Sequence, residues 1–254
     1  MCYTWSVHKC FRYRLYPTKG QESALQSTLN ECRWLYNYLL EQRKMAWENR
    51  QESISLYQQH ALLPALKQDR PSLTTVYSQV LQNVGVRLDL AFQAFFRRCK
   101  AGESPGYPRF RGYGWYNSFC YPQHGTVIEG RLIRLAKIGT VKMVYHRPIE
   151  GRIKTTCIKR SSIGKWYVTF SCEVEDVPLP ERTEQVGIDV GLTSFATFSD
   201  GSKIDNPRFF RHEERALKRV SRQHAKLAKG TPKRRKHRKA VARVHERVAF
   251  RRHN

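Results

Sequence analysis

The chain has 254 residues, 40% apolar and 12% aromatic, enough for one large domain or two smaller ones with real cores and too apolar for a disordered tail. Lys and Arg number 46 against 21 acidic residues, a net charge of +25 that a compact chain tolerates best beside a polyanion, and nucleic acid is the obvious one. With no long apolar run and no signal-peptide pattern, a membrane partner is not expected, and the expected location is the cytoplasm, in association with the nucleoid.

Cys10 to Tyr16 alternates Phe11, Tyr13 and Leu15 with Arg12, Arg14 and Tyr16 and stops at Pro17. This predicts a strand with one aromatic and one basic face. Thr18 and Gly20 introduce a helix over Gln21–Arg50, whose stripe Leu25, Leu29, Cys32, Tyr36 and Leu39 is spaced four, three, four, three. Arg33, Asn37 and Arg43 lie off that stripe and are expected to face a partner. Residues 54–73 predict a short helix broken at Pro64 and Pro71. A second long helix follows over Thr75–Arg98, with Val76, Val80, Val84, Leu88, Phe92 and Phe95 on one face.

Gly102 to Gly114 is a turn-rich joint containing Gly106-Tyr107-Pro108-Arg109-Phe110-Arg111. Arg109 and Arg111 among aromatic rings suit phosphate and base contacts, and equally suit a loop whose rings plug the core beneath it. From Asn117 to Val177 the pattern is all β, with segments near 126–135, 140–146 and 152–160. Trp166–Val174 is the clearest, with Trp166, Val168, Phe170, Cys172 and Val174 on one face. A small antiparallel barrel or sandwich is predicted, joined by the N-terminal strand, so that the helical lobe is an insertion. Val177-Pro178-Leu179-Pro180-Glu181 predicts a stiff linker.

Val186 to Gly201 predicts a β-hairpin with Asp200-Gly201 as turn signal, and Lys203–Asn206 a third strand. Period two gives Val186, Ile188 and Val190 a core face, and gives Gly187, Asp189 and Gly191 the other. One carboxylate flanked by two residues without side chains leaves room for a hydrated metal and a phosphate. An ordinary hairpin, a phosphate-binding ATPase hairpin and the first strand of a ribonuclease-H-like nuclease all remain open on these residues. The basic segment downstream favours the nuclease strand. Residues 207–254 hold 18 Lys/Arg and three acidic residues. They form two predicted helices, Arg211–Lys229 and Lys233–His253, folded back at Gly230-Thr231-Pro232 on a thin apolar seam. The candidate phosphate contacts there are Lys218, Arg222, Lys233, Arg234, Arg235, Lys236, Arg238 and Lys239.

Seven Cys, odd in number and never in a Cys-x-x-Cys pair, predict reduced thiols and no zinc site in this chain, with Cys32, Cys99 and Cys172 as buried fillers.

Four stretches then carry a resemblance: Phe11-Arg12-Tyr13-Arg14-Leu15-Tyr16-Pro17, Arg33-Trp34-Leu35-Tyr36-Asn37, Gly106-Tyr107-Pro108-Arg109-Phe110-Arg111 and Gly187-Ile188-Asp189-Val190-Gly191-Leu192. In this order they resemble the TnpB/OrfB family of transposon-encoded proteins, related to type V CRISPR effectors. The resemblance implies an α+β chain. Its parts are a small antiparallel β-barrel "wedge" (residues 1–18 and 102–177), an inserted helical recognition lobe (19–101), a linker (178–185) and an incomplete RuvC-like nuclease domain with a basic helical hairpin (186–254).

It further implies RNA-guided DNA cleavage, with an element-derived guide RNA and target DNA as partners. Asp189 becomes the first catalytic and metal-binding residue, for Mg²⁺ or Mn²⁺, with Gly187 and Gly191 as its structural glycines. Arg12, Arg14, Arg33, Asn37, Arg109 and Arg111 become nucleic-acid contacts. The family continues with a catalytic Glu, a four-Cys zinc ribbon and a final Asp. The chain is therefore expected to be C-terminally truncated and unable to cut alone, unless a separate polypeptide supplies the missing nuclease half. A nuclease-dead RNA-guided binder or repressor and a generic basic DNA-binding protein are the alternatives.

Overall fold

The computed structural model describes residues 6–176 and 185–253. The linker predicted at 178–185 falls outside them but for its last residue. The chain divides into two compact units, residues 1–176 and 177–254.

In the first unit a seven-stranded antiparallel sheet curls into a nearly closed barrel. Its strands are β1 (Ser6–Tyr16), β2 (Ser118–Tyr121), β3 (Thr126–Glu129), β4 (Leu132–Leu135), β5 (Gly139–Met143), β6 (Arg152–Arg160) and β7 (Trp166–Glu175), in the order β2-β6-β7-β1-β5-β4-β3. β1 lies between β7 and β5, paired from Ser6↔Glu175 to Leu15↔Trp166 on one side. The predicted alternation holds: Phe11, Tyr13, Leu15, Trp166, Val168, Phe170 and Cys172 are all buried. Thr126 and Thr156 hydroxyls 3.1 Å apart, and Tyr121 Oη donating to the Ala136 carbonyl at 3.0 Å, draw the two margins of the sheet together.

Between β1 and β2 run α1 (Lys19–Arg50), α2 (Leu56–Ala61), α3 (Leu63–Asp69), a 3₁₀ turn (Pro71–Thr75) and α4 (Ser78–Lys100). α1 opens on a capping box, Thr18 accepting from the Gln21 amide while the Gln21 side chain accepts from Thr18. Pro64 begins α3 rather than breaking a helix, because its missing N–H costs nothing in a first turn. The 3₁₀ turn delays the second long helix by three residues, so Val76 is buried ahead of it. The stripes of α1 and α4 share one apolar core with the barrel.

Two readings of this unit are corrected. Arg43 is not partner-facing: it is buried, with Nε donating to Gln59 at 2.9 Å and Nη2 paired with Asp89 at 2.9 Å. The cysteines are not all reduced: Cys120 and Cys157 sit opposite each other in the β2–β6 register and form a disulfide, while Cys99 is exposed rather than filling the core.

The second unit holds a three-stranded antiparallel sheet in the order β10-β9-β8, from β8 (Ile188–Asp189), β9 (Ser194–Phe198) and β10 (Lys203–Asp205). Asp200-Gly201 turns β9 into β10, with Gly201 at φ 84 and Asp200 accepting from the Ser202 amide. α5 (Phe209–Ala225) and α6 (Pro232–His253) follow and pack on each other, with Val244 and Val248 buried. No helix among the described residues is long and apolar enough to cross a membrane.

Candidate metal and nucleic-acid site

Asp189 ends β8 opposite Thr197 of β9, and Thr197 is in turn opposite Lys203 of β10. Paired residues of an antiparallel ladder share a face, so carboxylate, hydroxyl and ammonium form one row, the two charges about 10 Å apart at the backbone. Asp189 is exposed, as the clear space around it predicts. Gly187 brackets Ser199, its N–H donating to the hydroxyl at 3.1 Å and its carbonyl accepting from the amide at 2.9 Å. A methyl group on Gly187 or Gly191 would meet only ordinary contacts at 3.5 Å, and neither backbone is left-handed. Open approach to Asp189 is what the two glycines leave.

The other face of β8 is not a core. Val186, Ile188 and Val190 are 56%, 59% and 68% exposed, because β8 is a two-residue edge strand that no described element of its own unit covers. Apolar surface continues into an open cleft of about 1110 Å³ lined by Leu192, Phe195, Ile204, Asp205 and Phe210, among others. Asn206 ties this region together: its amide donates to the Leu192 carbonyl at 3.2 Å and its oxygen accepts from the Arg208 amide at 3.1 Å.

Asp189 is one hard oxygen ligand. A pair of Mg²⁺ or Mn²⁺ ions needs several. Among the described residues no group of three or more His, Cys, Asp or Glu is placed to hold a metal. The donor set present therefore does not fit the two-ion site, and no hydrolytic step follows from it.

The predicted phosphate contacts divide by environment. On the barrel's outer face Arg12 lies 4.0 Å over the Tyr167 ring, and Arg14 lies 5.1 Å from the same ring while donating to the Trp166 carbonyl. Arg33 lies over Tyr113 and Arg111 over the buried Tyr36. Asn37 is a clamp: its amide donates to the Arg111 carbonyl at 3.0 Å and its oxygen accepts from the Arg111 amide at 2.7 Å. Arg109 is exposed in the same loop.

In the helical hairpin Lys233, Lys236, Arg238 and Lys239 are exposed on α6, and Arg222 on α5. Arg234 and Arg235 instead turn back on the connection, donating to the carbonyls of Leu227 and Gly230, and Lys218 pairs with Glu214 at 2.8 Å. Sequence reasoning missed Glu213, which is buried and paired with Arg247 at 2.8 Å and Arg251 at 3.2 Å. The Arg247 hydrogen bond first, then the nearby guanidiniums, hold its carboxyl below the ordinary range. The available signal was a lone acidic pair, Glu213-Glu214, inside a basic helix.

A family model described as a probable transposase matches residues 169–254, and one described as a helix-turn-helix domain matches residues 1–52. A Streptomyces pristinaespiralis protein named "Putative RNA-guided DNA endonuclease" is 35% identical over 253 residues, covering 97% of this chain and 61% of its own length. The chain belongs to the TnpB/OrfB family. An Escherichia coli (strain K12) member named "Putative RNA-guided DNA endonuclease InsQ" is 28% identical, over 95% of this chain and 60% of its length. The chain thus spans about three fifths of the curated TnpB/OrfB-family relatives it matches. It also resembles a chain of a Cas12f1–sgRNA–target DNA complex, with TM-score 0.51 and 11% identity, over 97% of this chain and 76% of that one, a likeness of fold. Despite the name of the N-terminal match, residues 6–50 of this family member form one strand and one uninterrupted 32-residue helix, not a helix-turn-helix.

Proposed function

We propose that this chain is the nucleic-acid-gripping part of an RNA-guided DNA endonuclease. In this reading the barrel and helical lobe hold an element-derived guide RNA and target DNA, and the second unit begins a RuvC-like, ribonuclease-H-like nuclease domain. Asp189 is its first metal-binding carboxylate. The observation that carries the reading is the juxtaposition in one unit of an exposed Asp189 on a short β-sheet with two densely basic helices. The relatives' names support guide RNA and DNA as the polyanions that the charge of +25 calls for. Cleavage in this reading needs further carboxylates beside Asp189, which the described residues do not place there, and a separate chain is one source of them.

The purified polypeptide should carry one enriched RNA and retain a duplex complementary to it, without nicking in Mg²⁺. Retention of DNA regardless of RNA would make it a general basic DNA binder. Specific cleavage abolished by Asp189→Ala would show that the chain suffices as a nuclease.

A further inference from the structure

One side of α1 carries a feature that phosphate contacts do not explain. Arg33, Trp34, Asn37, Tyr38 and Glu41 are spaced one, three, one, three and so fall on adjoining turns of one side. Together with Phe110 they line a cavity of about 310 Å³, the small end of ligand-sized pockets. Its walls are held rigid. Trp34 and Tyr38 stack with centroids 5.1 Å apart and planes 17° apart. Arg70 lies 4.4 Å over Trp34, its guanidinium fixed by both oxygens of the buried Glu31 at 2.7 and 3.0 Å. The two-bond clamp of Asn37 on the Arg111 peptide fastens the neighbouring residue, Phe110, across the opening.

These groups do not behave as core. Phe110 keeps 51% of its surface open, and Arg33 Nε is buried with no hydrogen-bond partner among the described residues. A large ring left half in water forgoes stabilisation that a ligand can restore. Flat rings select a flat ligand. Glu41, exposed at the rim, repels a phosphate entering the pocket itself, while the exposed Arg109 and Arg111, which flank Phe110 in the chain, suit the backbone outside it.

We infer that this pocket takes a single unpaired nucleobase, stacked against Phe110, from a strand whose phosphates run along the neighbouring arginines. The inference rests on the nucleic-acid reading above and deepens it by assigning a single-strand subsite apart from the basic hairpin. Recognition is by ring stacking, so it tolerates all four bases and needs an extruded or unpaired one.

The test uses the full chain and its Phe110→Ala variant, which removes an exposed ring and leaves the core intact. The probes are a single-stranded oligonucleotide with one 2-aminopurine, in RNA and DNA forms, the same strand carrying an abasic site at that position, and a fully paired duplex. Wild-type protein should quench the 2-aminopurine of at least one form. Phe110→Ala should abolish that quenching and weaken that strand about tenfold, the scale of one base–aromatic stack, with duplex affinity unchanged. The abasic strand should bind both proteins alike, and Asn37→Ala should reproduce the loss by releasing the loop. Single strands that bind equally to wild type and Phe110→Ala, with unaltered fluorescence, overturn the subsite and leave the wider reading standing. If no oligonucleotide binds at all, both fall.

Discussion

Replacing Lys236, Lys239 and Arg243 of α6 by Gln tests whether the basic hairpin contacts nucleic-acid phosphates. At 100° per residue the three lie within an arc of about 60°, and Lys236 and Arg243 are separated by about 10.5 Å of axial rise, so they present one edge to a backbone. All three are exposed, and Gln is nearly as good a helix former, so stability should change by no more than about 0.5 kcal/mol per site. Each phosphate contact contributes about 0.9 to the slope of log affinity against log salt on duplex DNA, so three contacts contribute about 2.7. Between 50 and 200 mM salt, wild-type affinity should then fall about fortyfold more than that of the triple variant. Fluorescence-anisotropy titrations across that range measure it, with circular dichroism confirming the fold. A variant of unchanged slope and native helicity would mean that this edge of α6 touches no phosphate.

Three further outcomes come from the packing. Arg43→Ala leaves Asp89 and Gln59 without their partner in a largely buried pair and should cost about 3–5 kcal/mol in chemical denaturation, with the salt slope of binding untouched. Gly151→Ala places a methyl group 2.2 Å from the Glu173 carbonyl oxygen on a backbone at φ 74, so a sharp loss of melting temperature is expected where a tolerated Ala would contradict the geometry. Glu213 has a depressed folded pKa, so its stabilisation is present above its ordinary 4.5 and is lost as pH falls through the lower folded value. The α5–α6 hairpin should therefore loosen below about pH 4.5, and Glu213→Gln should remove that pH dependence from its thermal unfolding.

Strict alternation makes β7 legible, since each of Trp166, Val168, Phe170 and Cys172 has one place to go in a strand with a buried face. The same rule misleads at Val186, Ile188 and Val190: period two divides residues between faces, but burial needs a partner layer, and β8 has none among the described residues of its own unit. Helical spacing places Leu25 through Leu39 correctly and misplaces Arg43, because a guanidinium off the apolar stripe looks solvent-facing until Gln59 and Asp89, 16 and 46 residues on, arrive to satisfy it. Cys120 and Cys157 could not be paired from spacing, since only the β2–β6 register brings them together. The exposure of Asp189 could be read from its glycine neighbours. The pocket on α1 could not, because Phe110 reaches it through a peptide clamp that no periodicity encodes.

β1 is made long before its partner strand β7. Its neighbour β7 lies about 150 residues downstream, from Leu15↔Trp166 to Ser6↔Glu175. A ribosome adding roughly 5–20 residues per second leaves Phe11, Tyr13 and Leu15 waiting for about eight to thirty seconds. During that interval the intervening helices, whose contacts are mostly local, have time to form, while the nascent edge offers unpaired amides and bare rings to any passing strand. Synthesis rate and chaperone supply should thus affect soluble yield.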